Sequence, residues 1–115
     1  MALREDLAAL TWLEPWAPLQ PTEARERERE LASSLSDLHP LYGRKAEAIA
    51  ARTDDASDVL FCVSTPDQLA VVNLVPGRKT KGSAQIPFFV PYDSVDDFEQ
   101  GCMAPDHLEY SDEDT

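Results

Sequence analysis

Two apolar runs sit in the middle of the chain, Val59-Leu60-Phe61-Cys62-Val63 and Leu69-Ala70-Val71-Val72-Asn73-Leu74-Val75. The five residues between them, Ser64-Thr65-Pro66-Asp67-Gln68, are polar with a central proline. Runs of this length, rich in β-branched residues and joined by a short polar loop, predict an antiparallel hairpin. The runs are apolar on both faces rather than alternating, so they are expected as central strands covered by helices on at least one side. A chain of 115 residues has room for a single core of this kind.

The flanking segments supply the covering elements. Leu3, Leu7 and Leu10 recur at helical spacing and predict a short amphipathic helix over residues 3–13. Prolines at 15, 18 and 21 then hold the chain extended, so residues 12–21 are read as a stiff connector. Trp12 and Trp16 on this connector are expected to anchor on the domain's own core, because an exposed pair of indoles is costly in a small domain. Thr22 is the expected N-cap of a second helix, with Glu23 and Glu26 in its first turn. The sign-alternating run Glu23 to Glu30 allows Glu23–Arg27 and Glu26–Arg29 pairs and is read as a solvated face. Leu31, Leu35 and Leu38 form the apolar stripe, and Pro40 places the helix end near Asp37 or His39.

Residues 46–52 are open to helix or strand, alanine favouring the first. Strand is preferred because a helix there would leave the sheet only three strands. Residues 53–58 form a polar turn, and Pro76 to Ser83 an exposed basic loop. Ile86 to Tyr92 has prolines at 87 and 91 and suits a sheet edge. Ser94 caps a short helix, residues 95–100, which Gly101 can stop. The expected architecture is α+β, with two N-terminal helices, a mostly antiparallel sheet of three or four strands, and a short C-terminal helix. Residues 1–103 form the domain and residues 104–115 a flexible acidic tail.

Charge divides the chain unequally. There are 22 Asp and Glu against 10 Lys and Arg, a net charge of −12. Nine of the acidic residues lie between Tyr92 and Thr115, where there is no Lys or Arg, so the first 91 residues carry only −3. This balance argues against direct binding to nucleic acid or anionic membrane, both of which need clustered cations. The N-terminus lacks the basic stretch and apolar core of a secretory signal, and no apolar run approaches the roughly 20 residues of a membrane span. Two cysteines do not make a disulfide framework. A cytoplasmic location is the expectation.

Few groups are available for chemistry. Cys102 and His107 lack companions at zinc-ligand spacing. Cys62 reads as a core residue, and carboxylates around Cys102 disfavour a thiolate. Asp54, Asp55, Asp58, Asp96 and Asp97 are accounted for as turn and cap residues, with no EF-hand spacing. The Pro76 to Ser83 loop lacks the GxxxxGK[ST] pattern and precedes no helix. No catalytic residue, cofactor or metal is therefore expected.

His39-Pro40-Leu41-Tyr42-Gly43-Arg44 is the most distinctive segment. Tyr42 and Arg44 are residue types that anchor interfaces, although a structural corner with Tyr42 packed and Gly43 at positive φ is the preferred reading. With Asp58-Val59-Leu60-Phe61 and Ala70-Val71-Val72-Asn73-Leu74, the segment resembles a pattern in small bacterial single-domain proteins. The resemblance covers about residues 39–75 and implies a bacterial single-domain origin with a helix-then-hairpin order. It carries no activity.

The expected function is a non-enzymatic protein-binding module of the inhibitor or immunity type. Its partner would be a basic protein, such as a toxin or a nucleic-acid-binding enzyme, met through Asp93, Asp96, Asp97 and Glu99, with Tyr42 and Arg44 as further contacts. The alternative is a small enzyme or ligand-binding domain around His39, Tyr42 and Arg44 together with Asp54, Asp55 and Asp58. A third reading leaves the acidic terminus as a solubilising segment only.

Overall fold

The computed structural model describes residues 6, 7, 9–35, 40–54, 58–64, 68–74 and 89–112. The anticipated hairpin is its centre. Strands β3 (Asp58–Val63) and β4 (Gln68–Asn73) pair antiparallel, from Asp58 opposite Asn73 to Val63 opposite Gln68. Alternation along the strands sends Val59, Phe61, Val63, Ala70 and Val72 to one core and Leu60, Cys62 and Leu69 to another. Both faces are buried, which is why neither run alternates in polarity.

Among the described residues the sheet has five strands rather than three or four, in the order β1-β2-β3-β4-β5 and antiparallel throughout. Strand β2 (Ala46–Arg52) settles the ambiguous alanine segment as strand, with Ala48, Ala50 and Ala51 buried. The additional strand, β1 (Trp16–Pro18), comes from the proline-rich connector and pairs with the outer side of β2. Prolines are tolerated there because an edge strand needs donors on one side only. Strand β5 (Phe89–Tyr92) is the other edge and carries Pro91, as its sequence suggested; residues 86–88 lie outside the described residues.

Helix α1 (Pro21–Ser34) covers the first face with Leu31, which is 2% exposed, while Ala24 and Leu35 pack alongside. It begins one residue before Thr22, with Pro21 in the first turn and Gln20 at the cap position, since proline's missing N–H is no loss there. It ends at Ser34, earlier than Pro40 demands, as Leu35 turns extended. The ion pair formed on it is Arg27–Glu30 at 2.7 Å. Glu28 does more than face solvent: its carboxylate accepts a 3.0 Å hydrogen bond from the backbone N–H of Ala48. The β2–β3 register shifts between Ala48 and Ala50, so a side chain from α1 satisfies a backbone donor at the irregularity. Of the expected N-terminal helix, Asp6, Leu7 and Ala9 have helical backbone, and residues 10–13 do not.

The second face is covered by the C-terminal helical segment. Ser94 caps it as expected, its hydroxyl accepting from the Asp97 N–H at 3.1 Å. Gly101 does not stop it. Helix α2 (Val95–Phe98) widens into a π-helical turn (Glu99–Met103) and continues as α3 (Ala104–Asp112), through residues expected as tail. Buried Phe98 and Met103 hold the segment on the sheet and override the local stop signal. A Cβ at Gly101 would lie 3.2 Å from the Tyr92 ring, so glycine here allows the close approach of helix to β5. Among the described residues, no helix is long and apolar enough to cross a membrane.

Candidate functional site

The acidic residues singled out by sequence gather where the C-terminal segment begins. Asp93, Asp96 and Asp97 are exposed and Glu99 is half-buried. Asp93 accepts a long 3.5 Å contact from Gln68, and Asp96 a 3.1 Å hydrogen bond from Gln100. Among the described residues, no cation lies within ion-pair distance of these four carboxylates. Beside them runs an open groove of about 390 Å³. Leu10 and Val95 supply apolar wall, and Asp6 joins Asp96 and Glu99 in lining it.

Tyr42 and Arg44 lie at the same end of the sheet. The turn is closed by a 3.2 Å hydrogen bond from Arg44 N–H to the Leu41 carbonyl, with Gly43 at φ +78° as anticipated. Leu41, not Tyr42, fills the core: Leu41 is 1% exposed and Tyr42 is 55%. The guanidinium of Arg44 reaches the Ser64 carbonyl at 3.3 Å and the Gln68 side-chain oxygen at 3.5 Å. Gln68 thus links Arg44 to Asp93, so the turn and the acidic helix start border one surface.

Among the described residues, the two halves of the alternative constellation are not brought together. Arg44 precedes β2 and Asp54 follows it, so the two groups sit beyond opposite ends of that strand. His39 and Asp55 lie outside the described residues. Among the described residues, no group of three or more His, Cys, Asp or Glu is arranged to hold a metal.

A second concavity, about 290 Å³, opens on the C-terminal face of the sheet near the far ends of β3 and β4. Its polar wall was not legible in the sequence. Asp54 takes the fork of Arg52 at 2.9 and 2.8 Å, and Asp106 from α3 takes the remaining end at 3.3 Å. The same Asp106 oxygen accepts from the Trp16 indole N–H at 2.9 Å and from the Cys102 thiol at 3.5 Å. The Asp54 hydrogen bond leads the effects holding Arg52 above its already high ordinary pKa, so it stays charged. Asp58 accepts from Asn73 at 2.8 Å. His107, the other candidate ligand, is 2.6 Å from the Glu14 carbonyl.

Cys102 is held as the thiol. Burial, reinforced by Asp106, pushes its thiol from 9.0 up to about 12. Burial, then Cys102, pushes the Tyr92 phenol from 10.0 up to about 12. A raised folded-state pKa gives stability that is complete below the unfolded value and lost as pH climbs through the folded one. For Cys102 that window runs from about pH 9 to about 12. The urea midpoint is therefore expected to fall across this range, and to fall less steeply in Cys102→Ser. Equal slopes for the two proteins would refute the assignment.

Comparison of the chain with protein-family models, with curated proteins and with solved structures finds no match in any of the three. The fold and the two concavities define an α+β protein whose five-stranded antiparallel sheet is covered by helices on both faces.

Proposed function

We propose that the protein is a non-enzymatic, cytoplasmic protein-binding module of the bacterial inhibitor or immunity type, which docks on a basic partner through the start of its C-terminal helical segment. The partner class is a toxin or a nucleic-acid-binding enzyme, whose cationic surface complements these carboxylates. The observation that carries the reading is the groove beside Val95, where Asp6, Asp96 and Glu99 converge with no described cation in ion-pair range. A Lys or Arg side chain of the partner fits such a groove, its aliphatic stem on Leu10 and Val95 and its head at the carboxylates. Tyr42, exposed at the same end of the sheet, supplies an aromatic contact of the kind that anchors interfaces. One-signed charge speeds encounter with an oppositely charged protein and suppresses wrong partners.

The test uses the tagged full chain to capture its partner from the source cells, followed by association kinetics with the purified pair. Raising salt from about 50 to about 500 mM is expected to lower the on-rate roughly tenfold or more. Asp6→Asn with Asp96→Asn and Glu99→Gln is expected to produce a similar fall at low salt, while Ser94 and Asp97 keep the helix cap intact. An on-rate indifferent to both changes overturns the proposal.

A further inference from the structure

The second concavity lies away from the acidic groove and is built differently. Its floor is the sheet itself, where Val71 on β4 pairs with Val90 on β5. Val90 is 52% exposed and Val71 half-buried, so the C-terminal segment leaves this corner of the face open. The π-helical turn brings Cys102, and α3 brings Asp106, to one wall, with Trp16 behind Asp106. Asp58 and Asn73 form the opposite polar wall.

The charge of this wall decides what it accepts. Among the described residues Arg52 is the cation lining the cleft, and its guanidinium is already taken by Asp54 and Asp106. The charged lining described there is Arg52 with Asp58 and Asp106, so carboxylates outnumber the guanidinium. Asp58 uses Oδ1 for Asn73, and its Oδ2 has no described partner. An anion entering the cleft would find the guanidinium satisfied and an unspent carboxylate facing it. A cation would find an acceptor beside a pair of valines. At about 290 Å³ the volume lies at the small end of ligand pockets, which run from roughly 300 to 1,000 Å³.

We propose that this cleft binds an ammonium group carried on a small aliphatic or aromatic body, the cation at Asp58 and the body against Val71 and Val90. The site is independent of the docking groove, and its test leaves Asp6, Asp96 and Glu99 untouched.

The probe is phenethylammonium, titrated into the isotopically labelled full chain and followed by amide and indole chemical shifts. Phenylethanol and phenylacetate serve as the neutral and anionic counterparts. The cation is expected to give saturable shifts at Val71, Asn73, Val90 and the Trp16 indole. The alcohol should bind roughly tenfold more weakly, and the acetate not at all, because a hydrogen bond to a charged group adds about that factor. Asp58→Asn should weaken the cation roughly tenfold and leave the alcohol unchanged. Val90 is exposed on an edge strand, so Val90→Lys keeps the fold and places a competing cation at the mouth, abolishing binding. Absence of saturable shifts with phenethylammonium overturns the proposal. So do equal affinities for the three probes, indifference to both substitutions, or shifts centred on Asp96 and Glu99.

Discussion

Phe98→Ala is expected to lower the unfolding free energy by about 4 kcal/mol, the range for a large buried aromatic. Phe98 has no exposed surface and is the hub of the C-terminal core. The Trp16 ring meets it edge-on at 5.4 Å, Tyr92 at 5.8 Å and Trp12 at 6.4 Å. Each such pair contributes about 0.5–1.5 kcal/mol beyond area burial. The three rings come from β1, β5 and the segment before β1, so the cavity would loosen both edges of the sheet together. Against a total stability of roughly 5–15 kcal/mol, this loss lowers the melting temperature by about 15 °C or more. Phe98→Leu keeps most of the volume and loses the edge-to-face geometry, so a cost of about 1–2 kcal/mol is expected. Urea denaturation of the three proteins checks the order. A cost for Phe98→Ala below about 1 kcal/mol would mean that the core collapses onto the gap and the ring cluster does not organise this face.

Asp106→Ala is expected to cost about 2–3 kcal/mol, although Asp106 sits in a segment whose sequence suggests only an acidic tail. One carboxylate oxygen receives the Trp16 indole, an end of Arg52 and the Cys102 thiol. Arg52 keeps its fork on Asp54, so its charge is not stranded. The indole N–H is the group left without an acceptor, on a side chain 1% exposed. Asp106 itself retains 21% of its side-chain surface, which keeps the cost below the 3–5 kcal/mol typical of fully buried pairs. A double-mutant cycle with Trp16→Phe isolates the bond. Coupling of at least about 1 kcal/mol is expected, whereas additivity within about 0.5 kcal/mol would show that the indole bond contributes little. Because the bond ties α3 to β1, amide exchange in residues 104–112 should quicken in Asp106→Ala as well.

These two side chains mark the boundary of what local rules reveal. The β3–β4 hairpin was legible because its signal is local: two apolar runs and a polar loop. Pro91 marked an edge strand, and Ser94 marked a helix start, through chemistry confined to a few neighbouring residues. Strand β1 was missed because its prolines, read locally, argue for a connector. The gain from burying Trp16 against Phe98 enters only once the chain has folded back. Gly101 failed as a stop for the same reason, since Phe98 and Met103 hold the segment to the sheet. The Arg27–Glu30 pair, in place of Glu23–Arg27 and Glu26–Arg29, shows how little separates neighbouring ion pairs on an exposed helix face.

The candidate surfaces divide along the same line. Clustered carboxylates at 93, 96, 97 and 99 are countable in one dimension, and so was an acidic helix start. That Asp6 joins Asp96 and Glu99 across a groove depends on where the N-terminal segment lies. The cleft was invisible throughout, because Trp16 and Asp106 are 90 residues apart and neither carries a motif.

By itself the sequence determined the α+β class, the central hairpin, the capped start of the C-terminal helix and the acidity of that region, each set by neighbours in the chain. Only the tertiary structure decided the fifth strand, the run of helix through Gly101, the groove at Asp6 and the saturated arginine beside the cleft. Burial and hydrogen-bond satisfaction act between residues made adjacent by folding, and their strength depends on exclusion from water that no single segment achieves alone.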